Sequence, residues 1–474
     1  MGNKSIGTML ALYVLVLMSG CTSFEPRPLS PVDTTKAFEA RTLDNSGLRE
    51  FIQQNLKHEV APWPPASWDL TMLTLVAFYY HPDLDVARAE WAVARAAVIT
   101  AGGRPNPNLG SIFQYDANAA AGVSPWTLGL NFDIPIETAG KHGYRIARAE
   151  ALSEAARLNI MNVAWQVRSR ARKNLIDLHA GRQRKALFKK QFEVQERFTR
   201  MLEHRFSLGM LALPFLTDAR IARDKTHLAL DEATGQTAGA TVRLAEGLGL
   251  PVRALEGVNF SFDFIDRLPG DFPEEEVRRL ALLNRPDILS SLAEYAASQS
   301  ALQLEIAKQY PDVHLGPGYL WDQGENKWSI GFSLTLPVFK RNQGPIAEAE
   351  ARRQQAAARF TALQAQIINE IDRTLAGYHA ARKTFETAKE LLNAELTRQE
   401  TLRRRLKSGE AASFTLVNSE VAHISAELSN LDALVKAQQA LGLLEDALRR
   451  PLDQMEAIPL AQETNRRPVQ EREP

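Results

Sequence analysis

The clearest pattern in the chain is a strict alternation of apolar and polar residues in two short segments. One runs from Trp126 to Ile134 and the other from Trp328 to Leu336, and in both the intervening positions hold small or polar residues. A period of two over about nine residues predicts a half-exposed strand, and this is also the length of a tilted strand that crosses a bilayer. A soluble antiparallel sheet with one hydrated face would show the same alternation. Less regular strand-like runs precede each segment, near 109–115 and 313–321.

Long helices are predicted on either side of these strands. No proline occurs between positions 135 and 214 or between 345 and 451, and Ala, Glu, Gln, Arg and Leu dominate both stretches. A helix over 143–208 would extend about 100 Å at 1.5 Å per residue. A helix of that length cannot bury itself in a compact domain and needs neighbours along its whole length. The pattern therefore predicts a coiled-coil-like bundle or tube of helices.

Shorter elements complete the pattern. Helices are predicted over 69–100 and 274–309, ahead of the strands, and the segment 22–65, rich in proline and polar residues, is predicted to be an extended arm. Gly209 and Gly409 are placed to end the long helices, because glycine adopts the left-handed conformation that closes a helix. The chain is expected to return antiparallel after each glycine.

The same elements occur twice, at an offset of about 200 residues. Matching landmarks include His81-Pro82-Asp83-Leu84 with Arg285-Pro286-Asp287-Ile288, Trp126 with Trp328, Ile146–Ala151 with Ile346–Ala351, Gly209 with Gly409, and Pro251 with Pro451. So constant a shift predicts a tandem duplication. The predicted divisions are a signal peptide (1–20), an N-terminal arm (21–66), a first repeat (67–251), a linker (252–272), a second repeat (273–452) and a disordered tail (453–474).

The N-terminus predicts export and lipidation. A short segment with Lys4 precedes the apolar run Met9–Met18, and Ser19 and Gly20 then lead to Cys21, the only cysteine in the chain. This resembles a bacterial lipobox, with Met18 where leucine is usual, and in a lipobox the cysteine carries the lipid. Thr22, rather than aspartate, after the cysteine resembles the signal for the outer membrane. An ordinary signal peptide that ends near a cysteine is the alternative.

Composition and motifs exclude several classes of function. The 474 residues carry 56 basic and 56 acidic side chains, which gives no basic face for nucleic acid. The nine histidines include no pair at i, i+2 or i, i+4, so the sequence predicts no local metal site. Nucleotide-binding, serine-hydrolase and zinc-protease motifs are absent from the sequence. We therefore expect no enzyme, and no cofactor apart from a covalent lipid on Cys21.

From about Trp68 to Leu452 the pattern resembles the outer-membrane efflux proteins of the TolC type. The resemblance implies a mainly α fold with a small β part, in which tandem-duplicated long helical hairpins form a periplasmic α-barrel. Four strands per chain would contribute to a 12-stranded transmembrane β-barrel in a homotrimer. Three segments look most like the CzcC-like heavy-metal branch: Glu137–Lys141, Pro337–Gly344 and Leu444–Leu448.

The resemblance also implies a function. The chain would be a passive exit duct in the outer membrane, fed by a periplasmic adaptor and an inner-membrane pump of the resistance-nodulation-division (RND) class, with heavy-metal cations as substrates. Ducts for drugs or for type I protein secretion remain alternatives, as does a non-conducting coiled-coil lipoprotein. The helix tips would form the gate and the adaptor-docking site. Gate candidates are Asp218, Glu410, Asn418 and Glu420, and docking candidates are Gly209, Leu216, Gly409 and Leu416; Asp218 as a simple helix cap is the alternative.

Overall fold

The computed structural model describes residues 24–270, 273–408 and 413–452. The predictions for the signal peptide, Cys21, Gly409, Glu410 and the tail lie outside these residues. The chain divides into two compact units, Met1–Thr42 and Leu43–Pro474. In the first unit, helix α1 (Pro31–Glu39) begins after Ser30, whose side chain accepts a hydrogen bond from the Asp33 backbone N–H.

The prediction of an extended arm over 22–65 was wrong. Besides α1, this segment contains α2 (Ser46–Leu56), which begins after Asn45, and the Asn45 side chain caps the Leu48 backbone N–H at 3.0 Å. Leu48 and Ile52, four residues apart, lie on the same face of α2, and both are fully buried. The proline-rich and polar composition concealed this short apolar stripe.

Each helix predicted ahead of the strands is divided into two by a proline. The first comprises α3 (Leu70–Tyr80) and α4 (Pro82–Gly102), separated by His81 in an extended conformation. The second comprises α7 (Glu274–Asn284) and α8 (Pro286–Ala307), separated by Arg285 in the same conformation. The residue before a proline is forced out of the helical region, so the break occurs at the same place in both repeats.

Two hairpins of long helices form most of the second unit. Helix α5 (Lys141–Ser207) has 67 residues and returns as α6 (Leu213–Leu248), while α9 (Gln343–Lys407) has 65 residues and returns as α10 (Ser413–Leu448). A short 3₁₀ helix, Val252–Leu255, follows α6. Helix α5 packs against α4, α6, α8 and α10, and its side-chain contacts extend from Arg145, at α4, to Lys190, at α10.

The four strands form one antiparallel sheet in the order β1-β2-β3-β4, with bounds Asn108–Tyr115, Trp126–Ile136, Val313–Asp322 and Glu325–Leu334. The last strand starts three residues earlier than the sequence pattern suggested, and it also ends earlier. The reason is a two-residue turn at Gln323 and Gly324, both with positive φ, which pairs Asp322 directly with Glu325. The predicted mainly helical fold with four strands is confirmed.

No helix in the described part of the chain is both long enough and apolar enough to cross a membrane.

A buried ion cluster joins the two repeats. The Glu445 side chain on α10 is 3% exposed, and its carboxylate lies 3.2 Å from Nη1 of Arg168 and 3.6 Å from Nε of Arg172, both on α5. Arg172 also donates to the backbone and side-chain oxygens of Gln438 at 2.9 and 2.8 Å. The Gln438 amide in turn donates to the backbone carbonyl of Ile265 in the linker. Both repeats and the linker between them are therefore held by one polar network.

We expect Glu445→Ala to destabilise the protein by about 3–5 kcal/mol, because it leaves two arginines buried without their counter-charge. The measurement is chemical unfolding of the purified protein, followed by circular dichroism. Glu154→Ala is the matched control: Glu154 pairs with Arg157 on α5, but both side chains are 47% exposed, and such pairs contribute at most about 1 kcal/mol. Equal losses for the two variants would contradict the structural role of Glu445.

Candidate functional site

One face of the sheet is apolar across all four strands. Cross-strand partners lie on the same face, and the register pairs Phe113 with Leu128, Leu128 with Trp321, and Ile330 with Pro317. Ser111 and Asn326 are the only polar residues at the positions of this face. On β4 its apolar side chains are almost fully open, with Trp328 81% and Ile330 85% exposed. Within this chain, nothing among the described residues covers them.

Aromatic side chains gather at one end of the apolar face. Trp126 contacts the Tyr115 ring with centroids 4.7 Å apart, and Trp328 contacts the Tyr319 ring at the same separation. Trp321 lies on the same face between these two pairs. Tyrosine and tryptophan rings are enriched where an apolar surface meets water, as at a membrane interface.

The opposite face is polar apart from Ile112, Pro135 and Leu320, and it carries every glycine of the four strands: Gly110, Gly129, Gly316, Gly318 and Gly331. A Cβ atom at Gly110 would lie 2.6 Å from Oδ1 of Asn131, and one at Gly318 would lie 2.8 Å from Oγ of Ser329. The side chains of this face are therefore crowded, and glycine permits the close approach. All five strand glycines therefore lie on this one face, where the absence of a side chain makes room for the neighbouring strands. The sequence held this signal in the positions of the glycines.

The junction between β2 and α5 is fixed by an ion pair. Arg145 binds both carboxylate oxygens of Glu137, at 2.5 and 3.0 Å, and it also donates to the backbone carbonyls of Ala101 and Gly103 at the end of α4. The hydrogen bond from Arg145 holds the pKa of the Glu137 carboxyl below its usual value. One guanidinium group thus connects a strand end, a helix start and a helix end.

A second set of contacts ties the same junction to β3. The Lys141 ammonium group donates to the Asp312 carboxylate at 2.7 Å and to the Tyr310 carbonyl at 2.6 Å, and the Thr138 backbone N–H donates to Asp312 at 2.9 Å. In the second repeat, Asn342 donates to the Glu305 backbone carbonyl at 2.7 Å. The two segments that join a strand to a long helix, Glu137–Lys141 and Pro337–Gly344, therefore do more than form a turn. Their side chains anchor the sheet to the helices.

The tip of the α5–α6 hairpin is the predicted docking and gate region. Gly209 has φ +70°, and the Met210 N–H bonds back to the Arg205 carbonyl at 2.9 Å, so the prediction that a glycine ends this helix is confirmed. Leu216 is only 2% exposed, packed against Leu202 and Ala219. A buried side chain cannot contact a partner directly.

The apolar residues that the tip exposes are others. Met210 is 74% exposed, Leu213 is 54% exposed and Phe215 is 63% exposed. In the second hairpin, Phe414 is 54% exposed and its ring lies 5.5 Å from that of Phe198 on α5, while Leu416 is half-buried. The surface formed by Met210, Leu213 and Phe215 is called the tip patch below.

The gate candidates have different surroundings. Helix α6 begins at Leu213, with no side-chain cap, so Asp218 lies in its second turn and does not cap it. Asp218 is exposed, and within the described residues it has no ion pair. Glu420, in contrast, lies 3.3 Å from Arg403 on α9 and 4.0 Å from Arg197 on α5. Asn418 is exposed on the same turn of α10.

The tips of the two hairpins carry the same ion pair with opposite polarity. In the first, Glu203 on α5 pairs with Arg220 on α6 at 2.8 Å. In the second, the corresponding positions, 200 residues later, hold Arg403 on α9 and Glu420 on α10. The same two positions pair in both hairpins, but the acidic and the basic residue have changed places.

No group of three or more histidine, cysteine or carboxylate side chains in the described residues could hold a metal ion. The structural features that stand out are the two-faced sheet, its anchored junction and the helix tips.

Comparisons with known proteins agree with this architecture. The sequence model of the outer membrane efflux protein family matches residues 77–250 and 277–448, and the chain belongs to that family. Among curated proteins, it is 27% identical over 271 residues to the cobalt-zinc-cadmium resistance protein CzcC of Cupriavidus metallidurans. That match covers 56% of this chain and 62% of CzcC.

Solved structures show the same fold. The outer membrane protein VceC of Vibrio cholerae superposes with a TM-score of 0.66 at 19% identity, over 80% of this chain and 95% of VceC. The CmeC outer membrane channel of Campylobacter jejuni superposes with a TM-score of 0.66 at 16% identity, over 90% of this chain and 94% of CmeC. The predicted membership of the outer-membrane efflux family is thus confirmed.

Proposed function

We propose that this protein is the passive outer-membrane exit duct of a tripartite efflux system, working as a homotrimer. The observation that carries the proposal is the sheet: one face is apolar on all four strands, the other is mostly polar, and the edge strands β1 and β4 pair with no further strand in the described residues. Unpaired backbone groups in lipid cost several kcal/mol each. Three copies would join these edges into a closed barrel of twelve strands, apolar outside and polar inside.

The helices support the same proposal. Helix α5 starts five residues after β2 ends, and the Glu137–Arg145 pair fixes its direction, so a ring of strands would continue as a ring of helices. No nucleotide-binding motif is present in the sequence. Energy must then come from an inner-membrane pump, which we place in the RND class, through a periplasmic adaptor. A lipid on Cys21 would add a second attachment to the outer membrane.

Heavy-metal cations are the proposed substrates. The support is the similarity to the cobalt-zinc-cadmium resistance protein CzcC over 271 residues. The lack of a many-ligand metal site in the described residues is compatible with transport, because a conduit that bound its cargo tightly would retain it. Drugs and secreted proteins remain the alternative cargoes, and a coiled-coil lipoprotein without a channel remains the alternative of a different class.

A strain lacking the gene tests the substrate. We expect it to become sensitive to zinc, cobalt or cadmium and to keep wild-type resistance to dyes and hydrophobic antibiotics, measured as minimal inhibitory concentrations. Restoration by the intact gene is the control. Sensitivity to drugs alone would retain the duct and reject the metal assignment.

The tip patch is the proposed docking surface for the adaptor. We expect Phe215→Ser to abolish complementation of the deletion strain while the trimer level in outer membranes stays normal, because the variant removes exposed apolar area and no core contact. Val93→Ser, an exposed apolar residue on α4, is the matched control and should complement fully. Full resistance with Phe215→Ser would place the adaptor elsewhere.

Asp218 is the proposed gate residue of the first hairpin, since its carboxylate is exposed and makes no ion pair in the described residues. Three copies would form a ring of carboxylates that attracts cations. Asp218→Ala is then expected to change single-channel conductance in planar bilayers, or its block by divalent cations. Recordings indistinguishable from wild type would remove Asp218 from the gate.

A further inference from the structure

The polar face of the sheet contains one histidine–carboxylate pair. His314 on β3 and Asp133 on β2 are diagonal neighbours on this face, with Nδ1 and Oδ1 2.9 Å apart. Both side chains are about 40% open to solvent, at 39% and 41%. The pair lies at the helix end of the strands, on the face that carries the glycines and that the proposed barrel turns inwards.

The geometry of this pair suits a divalent cation. The 2.9 Å contact is a hydrogen bond; an ion that displaced its proton and lay about 2.1 Å from each atom would make an N–metal–O angle of about 90°, which is the angle between adjacent ligands in octahedral coordination. Imidazole nitrogen favours zinc, nickel and related transition ions, whereas Mg²⁺ prefers oxygen ligands alone. The solvent-exposed side of the pair leaves the remaining coordination positions to water.

Charge on the same face favours cations. At the helix end its strand positions hold one carboxylate, Asp133, and no lysine or arginine, whereas Asp322, Glu325 and Lys327 lie at the opposite, turn end of the strands. Just before β3, the Asp312 carboxylate also interacts electrostatically with His314, although Lys141 is bound to it. An approaching cation therefore meets an attractive field at this end of the sheet.

We propose that His314 and Asp133 form a low-affinity transfer site for divalent transition-metal cations on the inner wall of the duct. The inference rests on the proposed function for the lumen and the cargo. Two protein ligands hold an ion weakly, since structural metal sites use four. A weak site lets an ion enter and then leave again, which conduction requires. Three copies would place three such sites at one level of the tube.

Planar-bilayer recordings test the site, with K⁺ as the carrier ion and Zn²⁺ as the probe. We expect Zn²⁺ to reduce the wild-type K⁺ current, and His314→Ala to raise the half-blocking concentration by about tenfold or more. Asp133→Asn, which keeps the shape and removes the charge, should have the same effect. Mg²⁺ at equal concentration should block wild type and variants alike.

His379→Ala is the matched control, because His379 pairs with Glu274 at 3.5 Å with similar exposure but lies on α9, away from the strands. Isothermal titration of the purified protein with Zn²⁺ is run in parallel, since it reports on the site without a current. If His314→Ala carries a normal K⁺ current and its Zn²⁺ block and Zn²⁺ binding are unchanged, the proposed site is wrong and the duct still stands. If the wild-type protein carries no K⁺ current but binds Zn²⁺, and His314→Ala loses that binding, the proposed duct is wrong and the site still stands.

Discussion

The architecture depends on a buried carboxylate whose charge is balanced by two arginines. An ionised Glu445 without partners would carry a desolvation penalty of several kcal/mol, so Arg168 and Arg172 must lie where they do. Both arginines are on α5, the helix that runs unbroken from the sheet to the first tip. The ion cluster therefore fixes the second hairpin against α5 and, through Gln438, holds the linker between the repeats.

The elements that follow a regular sequence pattern were the part of the structure that could be predicted well. Alternation placed the start of β2 at Trp126 and all but its last two residues, and the proline-free composition gave the first long helix to within two positions and indicated the second. The features that the sequence pattern missed were decided by single residues with strong local preferences. Pro82 and Pro286 broke helices whose apolar period continues through them, and the Gln323–Gly324 turn advanced β4. Each of these features depends on one or two residues, and a periodicity that is judged over many positions does not detect them.

The candidate site was harder to predict because its parts are distant in sequence. His314 and Asp133 are 181 positions apart, and only the register of β2 with β3 brings them together. Leu216 was assigned to a docking surface from its position near a turn, but its neighbours bury it, whereas Phe215 beside it is exposed. On a helix, adjacent residues face different directions, so proximity in sequence does not identify the exposed side chain.

The exchanged ion pairs at the two tips have a consequence for the history of the gene. A crossover between the duplicated halves within a hairpin would join α5 to an α10-type helix, or α9 to an α6-type helix. The first product would set Glu203 against a glutamate, and the second would set Arg403 against an arginine. Like charges at that position disfavour both recombinants, whereas a whole hairpin can be copied intact. The reversed polarity therefore makes the whole hairpin, and not the single helix, the unit that can be exchanged between the repeats without a like-charge contact.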